Sequence, residues 1–331
     1  MTVVPPHWRR PLILLALLCA AIAALFARDI AHMVSIWWGS STYNHILFIP
    51  PLIAWLIAQR IALVAPLRAV AWWPGAALML AAGFVWFAGE VTDIALLRHL
   101  GVVLMLGAAV ATALGPMLVR ALAFPLAYGL LLVPFGDELV PLFQEITAHM
   151  SMVLLALFGI PATLDGLFIT TPSGVFIVAE ACSGVMFLVA MAAFAILAAH
   201  LCFSSWKRRI IFVASALLTT IIANALRAFG TILIAEHFGH EYALGMDHLI
   251  YGWVFFAVII TAVMLVARRW FDRPANDIAV DMRGLDCAVL RTGKAVPVGL
   301  AAALALVLAA VGGHAAAGGL REVADRALET R

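Results

Sequence analysis

A succession of long apolar runs constrains the fold of this chain more than any other feature. About 20 consecutive apolar residues cross a bilayer as a helix, and the hydrocarbon core offers no water to an unpaired backbone. With 65% hydrophobic and 11% charged residues, the chain is unlike a soluble domain, which carries about 25% charged residues. The sequence predicts an all-α polytopic membrane protein with about 8–9 transmembrane helices. Their apolar runs are 11–27, 45–59, 71–89, 96–117, 121–135, 183–203, 209–230, 249–267 and 295–312.

The charged residues between these runs predict the orientation of the connections. Lys and Arg concentrate in alternate connections, which the positive-inside rule assigns to the cytoplasm: 9–10, 60–68, 120, 207–209 and 268–294. Arg28 and Arg98 depart from this pattern, while Glu90 and Asp93 are expected to face water outside. The formal net charge of +2 is too small to indicate a nucleic-acid partner.

The stretch 141–158 does not fit this alternation as a simple crossing. If the run 121–135 exits outward and the run 183–203 begins outside, one more crossing between them reverses the orientation. We therefore predict an interfacial or re-entrant helix on the outer face that roofs the site around Cys182, since the first half of the stretch is rich in polar residues. The following turn sequences, Asp165-Gly166 and Pro172-Ser173-Gly174, predict a short extracytoplasmic hairpin before Cys182.

Three polar residues are predicted at one outer depth. Cys182 lies one residue before the run 183–203, Arg227 lies in the last turn of the run 209–230, and His248 immediately precedes the run 249–267. A cysteine thiolate is a strong nucleophile, an imidazole accepts and returns its proton, and a guanidinium stabilises an oxyanion. This combination predicts an enzyme that transfers acyl groups through a thiol.

Further candidates for supporting or substrate-binding roles are Glu180, Ser183, Gly184, Asn224, Tyr251 and His45. Asn224 shares a helical face with Arg227, where it would orient the guanidinium or donate to a substrate carbonyl. Glu180 is a candidate to orient Arg227 or His248. The small pair after the cysteine lets backbone approach the thiol, and its N–H groups at a helix N-terminus favour a thiolate or an oxyanion.

Each candidate also has a purely structural interpretation. A membrane cysteine often fills space as a small apolar residue, an arginine near a helix end reaches lipid headgroups, and a histidine caps a helix. Tyr251 suits an interfacial aromatic belt.

Neither a disulfide nor a metal site is expected. The predicted topology places the other cysteines, Cys19, Cys202 and Cys287, out of reach of Cys182. The segment His237-Phe-Gly-His240-Glu241 lacks the residue order of the zinc-protease motifs and is interpreted as a polar outer loop. No cofactor is expected.

Three motifs, in this order, resemble the exosortase family. They are Val178-Ala-Glu-Ala-Cys-Ser-Gly184, Ala223-Asn-Ala-Leu-Arg227 and Asp247-His-Leu-Ile-Tyr-Gly-Trp-Val-Phe-Phe256. Tyr43-Asn-His-Ile-Leu-Phe-Ile-Pro-Pro51 is similar to an early histidine-containing segment of the family, with Ile46 where a glycine is expected. The last motif resembles the exosortase A subgroup, which is associated with exopolysaccharide loci in Gram-negative bacteria.

The resemblance implies a multi-pass cysteine protease or transpeptidase of the bacterial inner membrane, with its active site facing the periplasm. The implied substrates are exported proteins with a PEP-CTERM sorting tail, which comprises a Pro-Glu-Pro motif, a transmembrane helix and a basic cluster. Carried onto this sequence, Cys182 is the nucleophile, Arg227 the transition-state stabiliser and His248 the acid/base. A thioester then passes to water or to an unidentified acceptor amine. Membrane lipids are the other expected partners.

The sequence predicts a catalytic transmembrane domain over 1–270, a cytoplasmic loop over 271–294, and an additional C-terminal transmembrane helix with a short tail over 295–331. Some relatives continue into a soluble extracytoplasmic domain, whereas here only a short tail is expected after the last helix. Functions that depend on such a domain are therefore not predicted for this chain. The alternative function is a transporter, or a non-catalytic scaffold in exopolysaccharide export. Carrier sites usually lie near the bilayer midplane, whereas the polar residues here cluster at one face.

Overall fold

The computed structural model describes residues 6–239, 248–274, 277 and 297–313. These residues form helices and one small sheet, which confirms the all-α membrane fold. The chain divides into two compact units. The first unit comprises Met1–Pro134 with Val280–Arg331, and the second comprises Phe135–Ala279. The division into catalytic domain, loop and C-terminal helix stays a prediction.

The first unit is a bundle of helices. In chain order these are α1 (Arg9–Leu25), α2 (Ala27–Gly39), α3 (Ile49–Gln59), α4 (Ile61–Val64), α5 (Trp73–Thr92), α6 (Ala95–Leu114), α7 (Pro116–Ala121) and α8 (Ala123–Tyr128). Short 3-10 turns occupy Pro6–Trp8, Asn44–Phe48 and Gly129–Leu132. A further apolar helix, Pro297–Gly313, packs in the same core as α1, α5 and α6.

Small residues allow α5 and α6 to approach closely, as is usual between helices in membranes. A Cβ on Gly101 would lie 2.5 Å from the Trp86 side chain, and a Cβ on Gly75 would overlap the backbone of Thr112. A tight turn joins the two helices at Asp93, which adopts a left-handed conformation with φ of 55°.

Glu90 does not face water as expected from the sequence. Its side chain is buried, and Oε2 lies 3.9 Å from the Nε of Arg98. Arg98 also contacts Asp29 at 3.3 Å and Asp93 at 2.8 Å. A water-facing helix end was expected because the acids lie at the end of an apolar run, but the α5–α6 turn brings Arg98 back over them.

The described residues of the second unit form four long helices and a three-stranded sheet. They are α9 (Val140–Leu157), α10 (Val185–Cys202), α11 (Trp206–Phe238) and α12 (His248–Ala267). The strands are β1 (Thr163–Asp165), β2 (Phe168–Thr171) and β3 (Gly174–Ile177), in the order β1-β2-β3 with antiparallel pairing. Short 3-10 turns lie at Asp137–Leu139, Glu180–Cys182 and Arg268–Trp270. The predicted hairpin before Cys182 is therefore present, with a third strand.

Two apolar clusters of described residues hold the second unit together. Phe187 and Met191 of α10 pack with Phe212 of α11 and Phe256 of α12. A separate cluster joins α9 and the sheet to α11 through residues that include Leu155, Ile169 and Ile232. The sheet is therefore fixed against the C-terminal part of α11, beside the turn that contains Cys182.

Among the described residues, seven helices are long and apolar enough to cross a membrane. An eighth span is counted if α2 and the helical segment Asn44–Gln59, bent by 109°, form one crossing. The sequence did not predict α2 as a separate helix. Asp137–Leu157 is among the seven, and α9 is unbroken; its interfacial or re-entrant placement stays a prediction.

The predicted single span at 121–135 is wrong. Its longest apolar helix is Ala123–Leu132, which has 10 residues and covers about half of a bilayer core. Pro134 lacks a backbone N–H, and Gly136 has a φ of 130°, so the helix does not continue into α9. The helix predicted at 209–230, by contrast, is longer in the structure, where α11 extends to Phe238.

Candidate active site

Cys182 lies on a short turn between the sheet and a long helix. It ends the 3-10 turn Glu180–Cys182 that follows β3, and its N–H donates to the carbonyl of Ala179 at 2.8 Å. The side chain is half-buried. Ser183 is buried, and its Oγ accepts from the N–H of Val185 at 3.3 Å, in the first turn of α10. The turn therefore presents the thiol at the start of a helix, as the sequence predicted.

Gly184 allows α10 and α11 to meet beside this turn. It has a left-handed φ of 84°, and a Cβ built on it would lie 2.5 Å from the Cγ of Asn224. Any other residue would be strained by its backbone and would collide with the amide. The predicted close approach at the small pair is present, and its partner is Asn224.

Asn224 anchors the thiol turn. Its Nδ2 donates to the carbonyl of Cys182 at 2.9 Å and to the Oγ1 of Thr147 at 3.0 Å. The residue is buried, so these hydrogen bonds fix the turn in the absence of competing water. The amide holds the backbone of the nucleophile candidate directly. Its predicted action on the guanidinium or on a substrate carbonyl stays a prediction.

Arg227 is buried one helical turn beyond Asn224. Its guanidinium carbon lies 5.3 Å from the centre of the Phe187 ring, a cation–π contact with α10. The position in the last turn of its helix, expected from the sequence, is wrong, because α11 continues for about three turns to Phe238. Since only 5% of the residue is exposed, Arg227 does not extend to lipid headgroups.

Cys182, Asn224 and Arg227 line one cleft. The cleft has a volume of about 480 Å³, including its open mouth, and Ser151 of α9 lies on its wall. The rest of its lining is mainly apolar and comes from the sheet and α11, including Ile169, Phe176, Ile177, Val178 and Ile232. A half-buried thiol and a buried guanidinium therefore line the same mainly apolar cleft.

A family model for transmembrane exosortases matches residues 37–265, more than half of the chain. The chain belongs to the transmembrane exosortase family. Searches of curated proteins and of solved structures gave no significant match. In this exosortase, the matched region contains all the residues of the cleft and ends before the helix Pro297–Gly313.

The exosortase carries His248 as the first residue of α12. Gly252, one turn further along, lies against Phe187, because a Cβ on it would be 3.1 Å from the Cζ of that ring. The backbone of α12 therefore brings its first turn to the ring that contacts Arg227. The side chains of His248 and Tyr251 lie outside the described residues, so their predicted roles stay predictions.

Glu180 and His45 are the remaining candidates. The side chain of Glu180 is exposed and forms no hydrogen bond or ion pair with another described residue. His45 belongs to the first unit, where its Nδ1 lies 3.0 Å from the carbonyl of Thr42. Both predicted roles stay predictions.

The remaining thiols and the histidine-rich segment lie apart from Cys182 in the sequence. Cys19 and Cys202 are half-buried thiols within α1 and α10, and Cys287 lies outside the described residues. His237 has its Nδ1 3.0 Å from the carbonyl of Leu233, and its neighbours His240 and Glu241 are outside the described residues.

Helix α9 was predicted to roof the site, but which of its residues contact the cleft and the thiol turn was not predicted. Gln144 donates to the carbonyl of Val178 at 2.8 Å, Thr147 donates to that of Ser183 at 3.4 Å, and Ser151 is fully buried on the cleft wall. The available signal was their spacing of three and four residues, which places them on one helical face. Glu145 and His149, in the same segment, are exposed. Only these two of the five polar residues of the segment therefore lie on the surface of the protein.

Proposed function

We propose that this exosortase is a membrane cysteine protease or transpeptidase that cleaves C-terminal PEP-CTERM sorting tails. The proposal places the cleft at the periplasmic face of a bacterial inner membrane, and the substrates are exported proteins with a Pro-Glu-Pro motif, a transmembrane helix and a basic cluster. The observation that supports it is the cleft that Cys182 and Arg227 share with Asn224, which binds the Cys182 carbonyl.

In the proposed reaction, the Cys182 thiolate attacks the scissile carbonyl and forms a tetrahedral oxyanion. Arg227 donates to that oxyanion, and in an apolar site one such donor is worth about 3–4 kcal/mol of transition-state stabilisation. His248 accepts the thiol proton and returns it to the amine as the C–N bond breaks. A thioester with Cys182 remains on the enzyme, and water or an acceptor amine displaces the thiol.

The fixed turn supports this assignment. Asn224 binds the Cys182 carbonyl, Gln144 binds the Val178 carbonyl, and Gly184 admits α11 at close range. These contacts hold the thiol in one place relative to Arg227, and such positioning lowers the entropic part of the barrier.

Co-expression with a tagged reporter that ends in a Pro-Glu-Pro motif, a transmembrane helix and a basic cluster tests the proposal. The size of the reporter is followed with the native chain and with Cys182→Ala, Arg227→Ala and His248→Ala. We expect cleavage by the native chain alone. Cys202→Ala is the matched control, because this thiol lies at the other end of α10 and should leave cleavage unchanged.

Two outcomes would overturn the proposal. Cleavage that persists in Cys182→Ala would refute the thiol mechanism. No cleavage by well-expressed native chain would refute the substrate assignment and favour a transporter or a scaffold. The orientation is tested separately with a membrane-impermeant maleimide, in a chain whose other three cysteines are replaced by alanine; Cys182 should be labelled from the periplasmic side.

A further inference from the structure

Strand β3 forms one edge of the sheet that precedes Cys182. In an antiparallel pair, hydrogen-bonded residue pairs alternate with pairs whose N–H and C=O groups point away from the partner strand. Val178 donates to the carbonyl of Leu167 at 3.0 Å, and the register pairs Ile177 with Phe168 and Val175 with Thr170. Val175 and Ile177 therefore direct their backbone groups away from β2, toward the outer edge.

This edge is available in the part of the chain that the structure describes. Val175 and Ile177 are each 56% exposed. The Ile177 carbonyl accepts from the N–H of Ala179 at 3.0 Å, so the outward groups that remain are the Ile177 N–H and both groups of Val175.

The two edges of the sheet differ in protection. Natural sheets usually protect an edge with charges or prolines, because exposed N–H and C=O groups pair with other strands. The β1 edge, Thr163–Asp165, ends at the charged Asp165. The β3 edge, Gly174–Ile177, contains no charge. The unprotected edge is the one that leads to Cys182.

The same edge runs into the cleft. Three successive residues at the end of β3 and beyond it, 176–178, line the cleft together with Cys182 and Arg227. The strand is also held in place: Glu236 of α11 accepts from the N–H of Ser173 at 3.1 Å, and Gln144 binds the carbonyl of Val178. A peptide that pairs with this edge would therefore meet a prearranged template, which reduces the entropy lost on binding.

We propose that an extended segment of the substrate binds as a fourth strand along β3, through the backbone groups of Val175 and Ile177, and is guided along the cleft to the Cys182 thiol. The proposal rests on the proposed peptide-cleaving function and adds how the peptide is recognised. Main-chain hydrogen bonds supply affinity in such strand addition, and pockets for alternate side chains supply specificity. Here the apolar cleft receives the side chains on one face of the peptide.

Paired substitutions at one position separate the backbone from the side chain. Ile177→Pro removes the outward backbone N–H, whereas Ile177→Ala shortens the side chain and keeps this N–H. With the reporter described above, we expect Ile177→Pro to lower the cleavage rate about tenfold or more, because a backbone hydrogen bond to the substrate is lost. Ile177→Ala shortens a side chain that lines the cleft but keeps the N–H, so it should cleave several times faster than Ile177→Pro. Val175→Pro and Val175→Ala should repeat the contrast.

Equal rates for Ile177→Pro and Ile177→Ala would overturn the proposal, whether both are fast or both are slow. Labelling of Cys182 by maleimide checks that the proline variants keep the turn folded. If the native chain cleaves the reporter and the proline variants do too, strand addition fails while the proposed function stands; if the native chain does not cleave, the proposed function fails first.

Disulfide trapping gives a measurement that does not depend on proline or on turnover. A Cys182→Ala chain with Val175→Cys is oxidised with copper phenanthroline in the presence of reporters that carry one cysteine at successive positions before the cleavage point. Side chains on one face of a strand recur at every second residue. Crosslinks should therefore appear at alternate positions; crosslinks at all positions or at none would refute pairing with β3.

Discussion

The two units of this exosortase bury an arginine in different ways. Arg98 of the first unit lies among three carboxylates, those of Asp29, Glu90 and Asp93. Arg227 of the second unit lies over the Phe187 ring and lines the cleft that contains Cys182. A buried guanidinium needs compensation. Acids that neutralise it form a structural cluster, whereas an aromatic face beside a cleft places the guanidinium where, in the proposed function, a substrate oxygen develops charge.

The cluster around Arg98 also accounts for an exception to the charge pattern. Asp29 accepts from the Trp86 indole at 2.8 Å, and His32 and His99 contact each other at 3.1 Å in the same region. Arg98 is thus part of a network that contains several acids. The positive charge of Arg98 is compensated within the protein, so its departure from the positive-inside pattern indicates little about the orientation of the chain in the membrane.

The largest effect is expected from Arg98→Gln. Removing one member of a buried ion pair leaves uncompensated charge, which costs about 3–5 kcal/mol of unfolding free energy. Thermal unfolding in nanodiscs should show the loss, while reporter cleavage per folded molecule should stay close to native. Asp93→Asn is the matched control, because that carboxylate is 87% exposed and its pair is worth about 1 kcal/mol or less. Loss of cleavage without loss of stability would place Arg98 in the functional machinery.

Arg227→Lys should show the opposite pattern. Lysine keeps the positive charge but lacks the planar fork of donors, so we expect cleavage to fall about 100–1,000-fold. The unfolding temperature should change little, because the ammonium also contacts the Phe187 ring. Cleavage rates and thermal unfolding measured on the same preparation distinguish a role of Arg227 in the reaction from a role in stability. A fall in stability as large as that of Arg98→Gln would show that both arginines serve the fold.

Gly184→Ala is expected to produce a smaller, non-additive effect. The added Cβ collides with Asn224 and is strained at a φ of 84°, so the thiol turn must shift, and cleavage should fall about tenfold. Asn224→Ala removes the colliding amide and also the hydrogen bond to Cys182. In a double-mutant cycle, Gly184→Ala should cost less in the Asn224→Ala background than in the native chain. Strict additivity would contradict direct contact between the two residues.

The smallest effect is expected at Asp272, an exposed charge that contrasts with both buried arginines. The backbone N–H and the hydroxyl of Ser204, with Arg208 adding a contact at 3.0 Å, hold the pKa of Asp272 below its ordinary value of 3.8. A lowered pKa stabilises the fold above the ordinary value, and this contribution is lost as pH falls through the folded-state pKa.

Asp272→Asn should therefore lower the unfolding temperature slightly at about pH 7, and the difference from the native chain should shrink below about pH 4. Unfolding curves of both proteins across this range provide the measurement. A difference that grows on acidification would contradict the assigned hydrogen bonds.

The segments with local signals were predictable. The turn residues around 165 and 172–174 predicted strands before Cys182, and the sheet lies there. The segment 121–135 was not predicted correctly, because hydropathy does not register that Pro134 and Gly136 end the helix early. Helix α9 was predicted to roof the site, but its contacts with the turn at Cys182 were not predicted, since polar residues in a helix indicate a wet surface or a buried site equally well until the packing partner is known.

The sequence by itself determined the membrane class, the family and the presence of Cys182, Arg227 and His248 in the matched region, because hydropathy and motifs are properties of short stretches. Only the tertiary structure decided which distant groups meet. Asn224 binds the carbonyl of Cys182 from 42 residues away, and Glu236 binds Ser173 across 63 residues. Such contacts depend on how helices approach and where they end, and in this protein a glycine at 184 sets that approach.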